Sequence, residues 1–282
     1  MCHSLKLLHM KTIVTVLALI LSLGLANAQD FKGVATYQTK TTLDMSGFGG
    51  REMSEQMRKQ MAERMKSMLE KTYTLSFNKS ESIYEEEEKL EAPGAGGGMR
   101  FMGGGFSQGG VYKNVAENLY ARENELMGKT FLIQDSLKTY DWKLEKESKM
   151  IGSYAAFKAT AVVPVDNESL MRFRRRGEEE DSTATKAPKD QVVTVWYTPQ
   201  VPINQGPADY WGLPGLILEV QAGNTVIICN KIVLNPKEEI TIDKPKKGEK
   251  VSRAAYEKIV LEKTQEMRER YSGGRGGFRG RG

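Results

Sequence analysis

Residues 216–234 read LILEVQAGNTVIICNKIVL. Two runs of aliphatic and β-branched residues, LILEV (216–220) and TVIICNKIVL (225–234), flank Ala222-Gly223-Asn224. Runs of this kind joined by a short Gly-Asn turn predict an antiparallel β-hairpin. The same signature recurs along the chain in VATYQTKTTL (34–43), TYTLSF (72–77), VYKNV (111–115), TFLIQD (130–135), KTYDWKLEKE (138–147), SYAAFKATAVV (153–163) and VVTVWYTP (192–199). Strands at this spacing, with no helical segments between most of them, mean an antiparallel sheet rather than alternating strand and helix. Tyr140, Trp142 and Leu144 alternate with Thr139, Asp141 and Lys143, which predicts one buried face and one wet face. The expected architecture is mainly β: a curved antiparallel sheet or half-barrel.

Two segments depart from the β pattern. SRAAYEKIVLEKTQEMRERY (252–271) opens on Ser252, a good N-cap, and carries charges of both signs, so it reads as a C-terminal helix. REMSEQMRKQMAERMKSMLEK (51–71) reads as a Met-rich helix in the N-terminal half. At 100° per residue, Met53, Met57, Met61, Met65 and Met68 fall within an arc of about 120°. Thioethers are soft ligands that suit Cu(I) or Ag(I), so a soft-metal site is one reading of that stripe. The commoner role of such methionines is to fill a helix face against an irregular or adaptable surface. Arg64 and Lys71 share the same face, which argues against full burial and against a cation there.

The first 28 residues predict export. Lys11 opens a positive region, Thr12–Leu25 is almost wholly apolar, and Ala26-Asn27-Ala28 offers a small-x-small cleavage site. The apolar run falls short of the roughly 20 residues a membrane-spanning helix needs. No cysteine follows the cleavage site, which argues against a lipid anchor. The reading is therefore a signal peptide at 1–28 and a periplasmic or extracellular product without a transmembrane segment. His3 and His9 leave with that peptide, which excludes Ser-His-Asp chemistry and histidine-ligated zinc from the remainder. Cys229 is then the one thiol left, unable to form an internal disulfide. Loss of Lys6 and Lys11 leaves 39 basic against 36 acidic residues, a mild imbalance.

The single β-rich domain expected over 29–271 carries two polar insertions. EEEEKLEAPGAGGGMRFMGGGFSQGG (85–110) lacks the Gly-Lys-Ser/Thr of a phosphate-binding loop and reads as a flexible insertion. Around 172–190, RFRRRGEEEDSTATKAPKD sets basic against acidic blocks with no apolar period, as a solvated loop does. The tail at 272–282 is rich in Gly and Arg and reads as disordered. Arg275, Arg279 and Arg281 with Phe278 suit nucleic acid in a cytoplasmic protein, but for an exported chain nucleic acid is not the expected partner.

Chemistry is sparse. Pro199, Pro202, Pro207 and Pro214 stiffen TPQVPINQGPADYWGLPG (198–215) between two strands. Pro214 followed by Gly215 predicts a type II turn, whose third residue needs positive φ. The result is a rigid, aromatic-lined corner capping the sheet, a feature more often structural than functional, whose candidates for ligand or partner binding are Asp209, Tyr210, Trp211, Leu213 and Pro214. Asp209 and Glu219 have no identifiable partner base, nucleophile or metal motif. No catalytic residues and no cofactor are expected.

The same block carries a family resemblance. Gly212–Ile217, GLPGLI, with WKLEKESKMIGSYAAFKA (142–159), VWYTPQVPINQGPADYWGLPGLILEV (195–220) and IVLNP (232–236), resembles the GLPGLI family of exported Bacteroidota proteins. Ser153 stands where a second glycine is usual, and Ala155-Ala156 where members often carry a cysteine. The resemblance implies export and a β-rich fold and supplies no catalytic residues. The leading expectation is a non-enzymatic cell-envelope module that binds a partner protein or apolar ligand. The alternatives are a Cu(I)/Ag(I) binder using the methionine helix and an uncharacterised enzyme around Asp209 and Glu219.

Overall fold

The computed structural model describes residues 31–42, 55–56, 69–87, 106–164 and 190–273. The leader at 1–28, the five stripe methionines, most of both insertions and the tail beyond 273 lie outside the described residues.

Among the described residues, twelve strands form one open sheet: β1 (Gly33–Thr41), β2 (Glu70–Phe77), β3 (Glu81–Glu86), β4 (Phe106–Asn114), β5 (Leu119–Leu126), β6 (Lys129–Ser136), β7 (Lys143–Ile151), β8 (Tyr154–Pro164), β9 (Asp190–Thr198), β10 (Leu216–Ala222), β11 (Thr225–Leu234) and β12 (Glu249–Val251). Their spatial order is β12-β6-β5-β4-β3-β2-β1-β11-β10-β9-β8-β7. The hairpin expected at 216–234 forms, with Ala222 opposite Thr225 and Gly223 at φ 56°, so glycine takes the left-handed position of a two-residue turn.

Most strands pair antiparallel with a sequence neighbour. The exceptional ladder is β12 on β6, which is parallel, so the sheet is mixed rather than wholly antiparallel. Three strands were not foreseen: β3, β5 and β12. The first two are dense in Glu, Asn and Arg, and β12 is only three residues long. β3 and β4 also take residues 85–86 and 106–110 of the stretch read as an insertion.

The strand read at 138–147 is displaced. Residues 137–142 belong to no strand ladder, and β7 begins at Lys143. Leu144, assigned to the buried set, is 61% exposed. Tyr140 and Trp142 are drawn away from the sheet by contacts described below.

Register shows which side chains share a face. Ala159, Val195, Val220 and Ile227 are successive cross-strand partners from β8 to β11 and all are buried. On the far side of β1, Gly33, Phe77, Ser82, Lys113, Tyr120 and Asp135 form one continuous row over β1 to β6. These belong to one inner face, since Ala35 and Tyr37 of β1 point the same way as Gly33. The outer face carries Trp196, Glu219 and Ile228, also direct partners. Its Val162–Val192 pair is exposed on both strands.

Helix α1 (Arg253–Gly273) follows β12 and runs two residues past the boundary expected for it. Ser252 caps it as expected, its Oγ accepting the Ala255 N–H at 3.2 Å. The Tyr256 ring packs edge-on against Phe131, with centroids 5.6 Å apart.

Candidate functional site

The connection between β9 and β10, residues 199–215, lies across the inner face and packs on strands far from its own. β4 is five positions from β10 in the sheet, about 24 Å on a flat surface at about 4.8 Å per strand. Yet Lys113 of β4 donates to three carbonyls of this loop: Gly206 at 2.6 Å, Ala208 at 2.8 Å and Tyr210 at 2.9 Å. Gln205 accepts from Ser82 Oγ of β3 at 2.8 Å and donates to the Ser80 carbonyl. Val201, Ile203, Leu213, Leu216 and Ile217 are buried. The loop is thus a plug on the concave side of its own sheet.

Local chemistry explains why the carbonyls converge. Tyr210 N–H closes a turn onto Pro207 O, Gly212 N–H bonds Asn204 O, and Ile217 N–H bonds Gln205 O. With those amides engaged elsewhere and Ala208 left-handed at φ 49°, the carbonyls of alternate residues face one point. Gly206 leaves the room: a Cβ there would sit 2.8 Å from Ile217 Cδ1 and 2.9 Å from Tyr210 O.

The expected type II turn does not form. Gly215 N–H reaches Leu213 O at 2.8 Å, a tighter three-residue turn around Pro214. Gly215 is needed there for close approach, because a Cβ would come within 2.2 Å of Thr198 O.

Lys113 is fully buried and a lysine ammonium has three N–H groups, matched here by three acceptors. None of the three is a carboxylate. Burial pulls the ammonium down to about 7, with Asp209 the opposing charge. Asp209 itself pairs with Arg253 at 2.5 Å. The Arg253 guanidinium lies 3.9 Å from the Tyr120 ring centroid, and its backbone N–H bonds Asp135. Burial opposes the Arg253 charge, but Asp209 and Tyr120 outweigh it and raise its proton affinity. Burial first, then Asp209, pushes the Tyr120 and Tyr140 hydroxyls above the ordinary tyrosine value.

Above this floor sits a half-buried aromatic group. Tyr140 stacks on Trp142 at 5.0 Å and tilts against Tyr210 at 5.6 Å. Trp142 Nε1 donates to Trp211 O at 2.9 Å, and Trp211 Nε1 donates to Lys138 O at 2.7 Å. These bonds pull Tyr140 and Trp142 out of the strand expected for them.

Of the residues singled out in the sequence, Asp209, Tyr210 and Trp211 come together at the corner, Pro214 is exposed beside it, and Leu213 is 1% exposed and belongs to the core. Glu219 lies on the outer face, bound to Lys149 at 2.6 Å, so it is not brought together with Asp209. Lys113, Arg253, Tyr120, Tyr140 and Trp142 were not foreseen as site residues. The one signal for Lys113 was its place in phase with Val111 on a strand.

Burial raises the Cys229 thiol to about 12, far from a reactive thiolate. Among the described residues no group of three or more His, Cys, Asp or Glu is placed to hold a metal, and no helix is long and apolar enough to cross a membrane. An open recess of about 360 Å³ at the start of α1 is lined by Gln134, Lys250, Val251 and Ser252.

Residues 142–219, which include β7 to most of β10 and the whole plug, match a family model described as a protein of unknown function (Porph_ging). No curated protein matches the chain. Among solved structures, PNGF-II in two crystal forms is similar over 82% and 83% of this chain, at 13% and 11% identity and TM-scores of 0.48 and 0.45. The chain spans 33% of the length of PNGF-II. Lipoprotein LppX of Mycobacterium tuberculosis is similar over 79% of this chain and 94% of its own, at 11% identity and a TM-score of 0.25. Likenesses this loose carry no activity or ligand across.

Proposed function

We propose that this chain is an exported, non-enzymatic module that binds a partner protein through the aromatic corner formed by Tyr140, Trp142, Tyr210 and Trp211, with Pro214 at its edge. One observation carries the reading: the four rings are only half-buried, yet both indole N–H groups are already bonded to the protein's own carbonyls. Rings held this way lose little side-chain freedom on binding, and rigid aromatics are the residues that anchor protein interfaces. The plug favours a protein over an apolar small molecule, because the concave side is filled by Val201, Ile203, Leu213 and Ile217. Export rests on the leader-like composition of residues 1–28.

Site-specific photo-cross-linking from position 214 in the native host tests this. The expected result is one defined protein adduct that disappears when Tyr210→Ala and Trp142→Ala are combined, while circular dichroism is unchanged. An adduct profile indifferent to those substitutions contradicts the reading. So does a lipid-sized mass bound to the purified protein in native mass spectrometry.

A further inference from the structure

The floor beneath the corner gathers more positive than negative charge. Lys113 of β4 is sealed under the loop carbonyls of Gly206, Ala208 and Tyr210. Among the described residues, the carboxylate that acts on it is Asp209, and Asp209 is already paired with Arg253. The other titratable groups packed around this point are Tyr120 and Arg122 of β5, Tyr140 of the 137–142 segment, Tyr210 of the loop and Asp135 of β6. Asp135 accepts the Arg253 backbone N–H, and Arg122 is bound to Gln108 and Gly109. Burial keeps Tyr120 and Tyr140 neutral. Three cations and two carboxylates therefore meet; Arg122 is only half-buried and held by neutral acceptors, and Lys113 is the fully buried cation without a bonded carboxylate. Seating the loop over its protonated form buries one net charge against dipoles alone.

We propose that residues 199–215 form a proton-sensitive plug: acidification loads Lys113 with the proton that the seated loop disfavours, so the loop lifts from β3–β5 more readily. Opening returns Lys113 to water, where its amine takes one proton from solvent and becomes an ordinary ammonium. Burial holds the seated lysine at about 7, against about 10.4 for a free one. Opening thus takes up a proton between those values. Each unit of acidification within that window favours opening about tenfold, and below about pH 7 the dependence vanishes because both forms are protonated. Gln205 and Ser82, the neighbouring tie, do not titrate and set the baseline.

Amide hydrogen exchange on the full chain tests the plug, read at Gly212 and Ile217, whose N–H groups bond loop carbonyls, with the β10–β11 hairpin as reference. After correction for intrinsic exchange, their protection is expected to rise about tenfold per pH unit from 7 to 9, to be flat from 5.5 to 7, and to lose its slope in Lys113→Met. Flat protection from 7 to 9 in the parent chain, or an equal slope in Lys113→Met, overturns the proposal. Should Lys113→Met fail to fold, the Lys113 side-chain resonance of the parent chain decides. A midpoint near 7 supports the plug, and an unmoved ammonium signal to pH 10 overturns it. These measurements use the free protein, so failure to find a partner leaves them standing.

Discussion

Two lysines on opposite faces of one sheet solve the same problem differently. Lys149 of β7 lies on the outer face, its Nζ 2.6 Å from Glu219 and 4.3 Å from the centroid of the Trp196 ring. Its side chain is 36% exposed, so water still solvates the charge. It passes over Ala156, its cross-strand partner, whose small side chain leaves the path open. Lys113 of β4 lies on the inner face, fully buried, with three backbone carbonyls and no bonded carboxylate. Glu219 is itself buried, but Gln221 Nε2 also donates to it at 2.6 Å, so losing Lys149 leaves that carboxylate one donor, whereas losing Lys113 leaves its three acceptors none. The inner lysine therefore holds a fold element in place, and the outer one covers a buried carboxylate and the Trp196 ring from the solvent side.

The largest expected effect follows from removing the inner lysine. Lys113→Met leaves three buried carbonyls without a donor, at about 1–3 kcal/mol for each group left unsatisfied. A loss of about 4 kcal/mol is expected in denaturant unfolding, with the midpoint shifted and the slope preserved. Gly215→Ala should cost about 3 kcal/mol, because its Cβ meets backbone that cannot yield. That variant strains the loop against Thr198 and Pro199 without touching any charge or the cover over Lys113. Its destabilisation should therefore be independent of pH.

Smaller, but diagnostic, is the pH dependence. The folded value of Lys113 lies below its unfolded one, so folding sheds a proton in the window from about 7 to about 10.4. Its contribution to stability is thus least below pH 7 and grows as pH rises through the window. Stability of the parent chain relative to Lys113→Met should rise by about 2 kcal/mol between pH 7 and 9, measured by urea titration at fixed ionic strength. The smallest effect belongs to the outer face: Lys149→Met should cost about 1 kcal/mol, because the buried Glu219 carboxylate keeps Gln221 as a donor.

The sequence showed the sheet more clearly than the site. The hairpin at 216–234 was legible because Gly223-Asn224 is a turn signal flanked by aliphatic runs. β3 and β5 were hidden by Glu81, Glu85, Glu86, Arg122, Glu123 and Glu125, which read as solvated when one strand is taken alone. Several of those side chains are paired across the sheet or with the backbone, as Glu86 is with Lys71 and Glu123 with the N–H groups of Lys246 and Lys247. Tyr140 and Trp142 matched a strand in their alternation, but their partners are 69 to 70 residues away in the plug. Half of the corner, Asp209 to Trp211, was visible as an aromatic, proline-stiffened loop. Lys113, Arg253 and Tyr120 were not, because only the register of β4 and β5 and the return of α1 bring them beneath that loop.

The comparison of the two lysines is tested most directly by thermal unfolding of Lys113→Met and Lys149→Met beside the parent chain, with amide protection followed in the same samples. The account predicts that Lys113→Met lowers Tm by about 10 °C, at about 2–4 °C per kcal/mol, and strips protection from Gly212 and Ile217 ahead of the β10–β11 hairpin. Lys149→Met should stay within about 4 °C of the parent with that protection intact. Equal shifts for the two variants, or full protection of Gly212 and Ile217 in Lys113→Met, would contradict it.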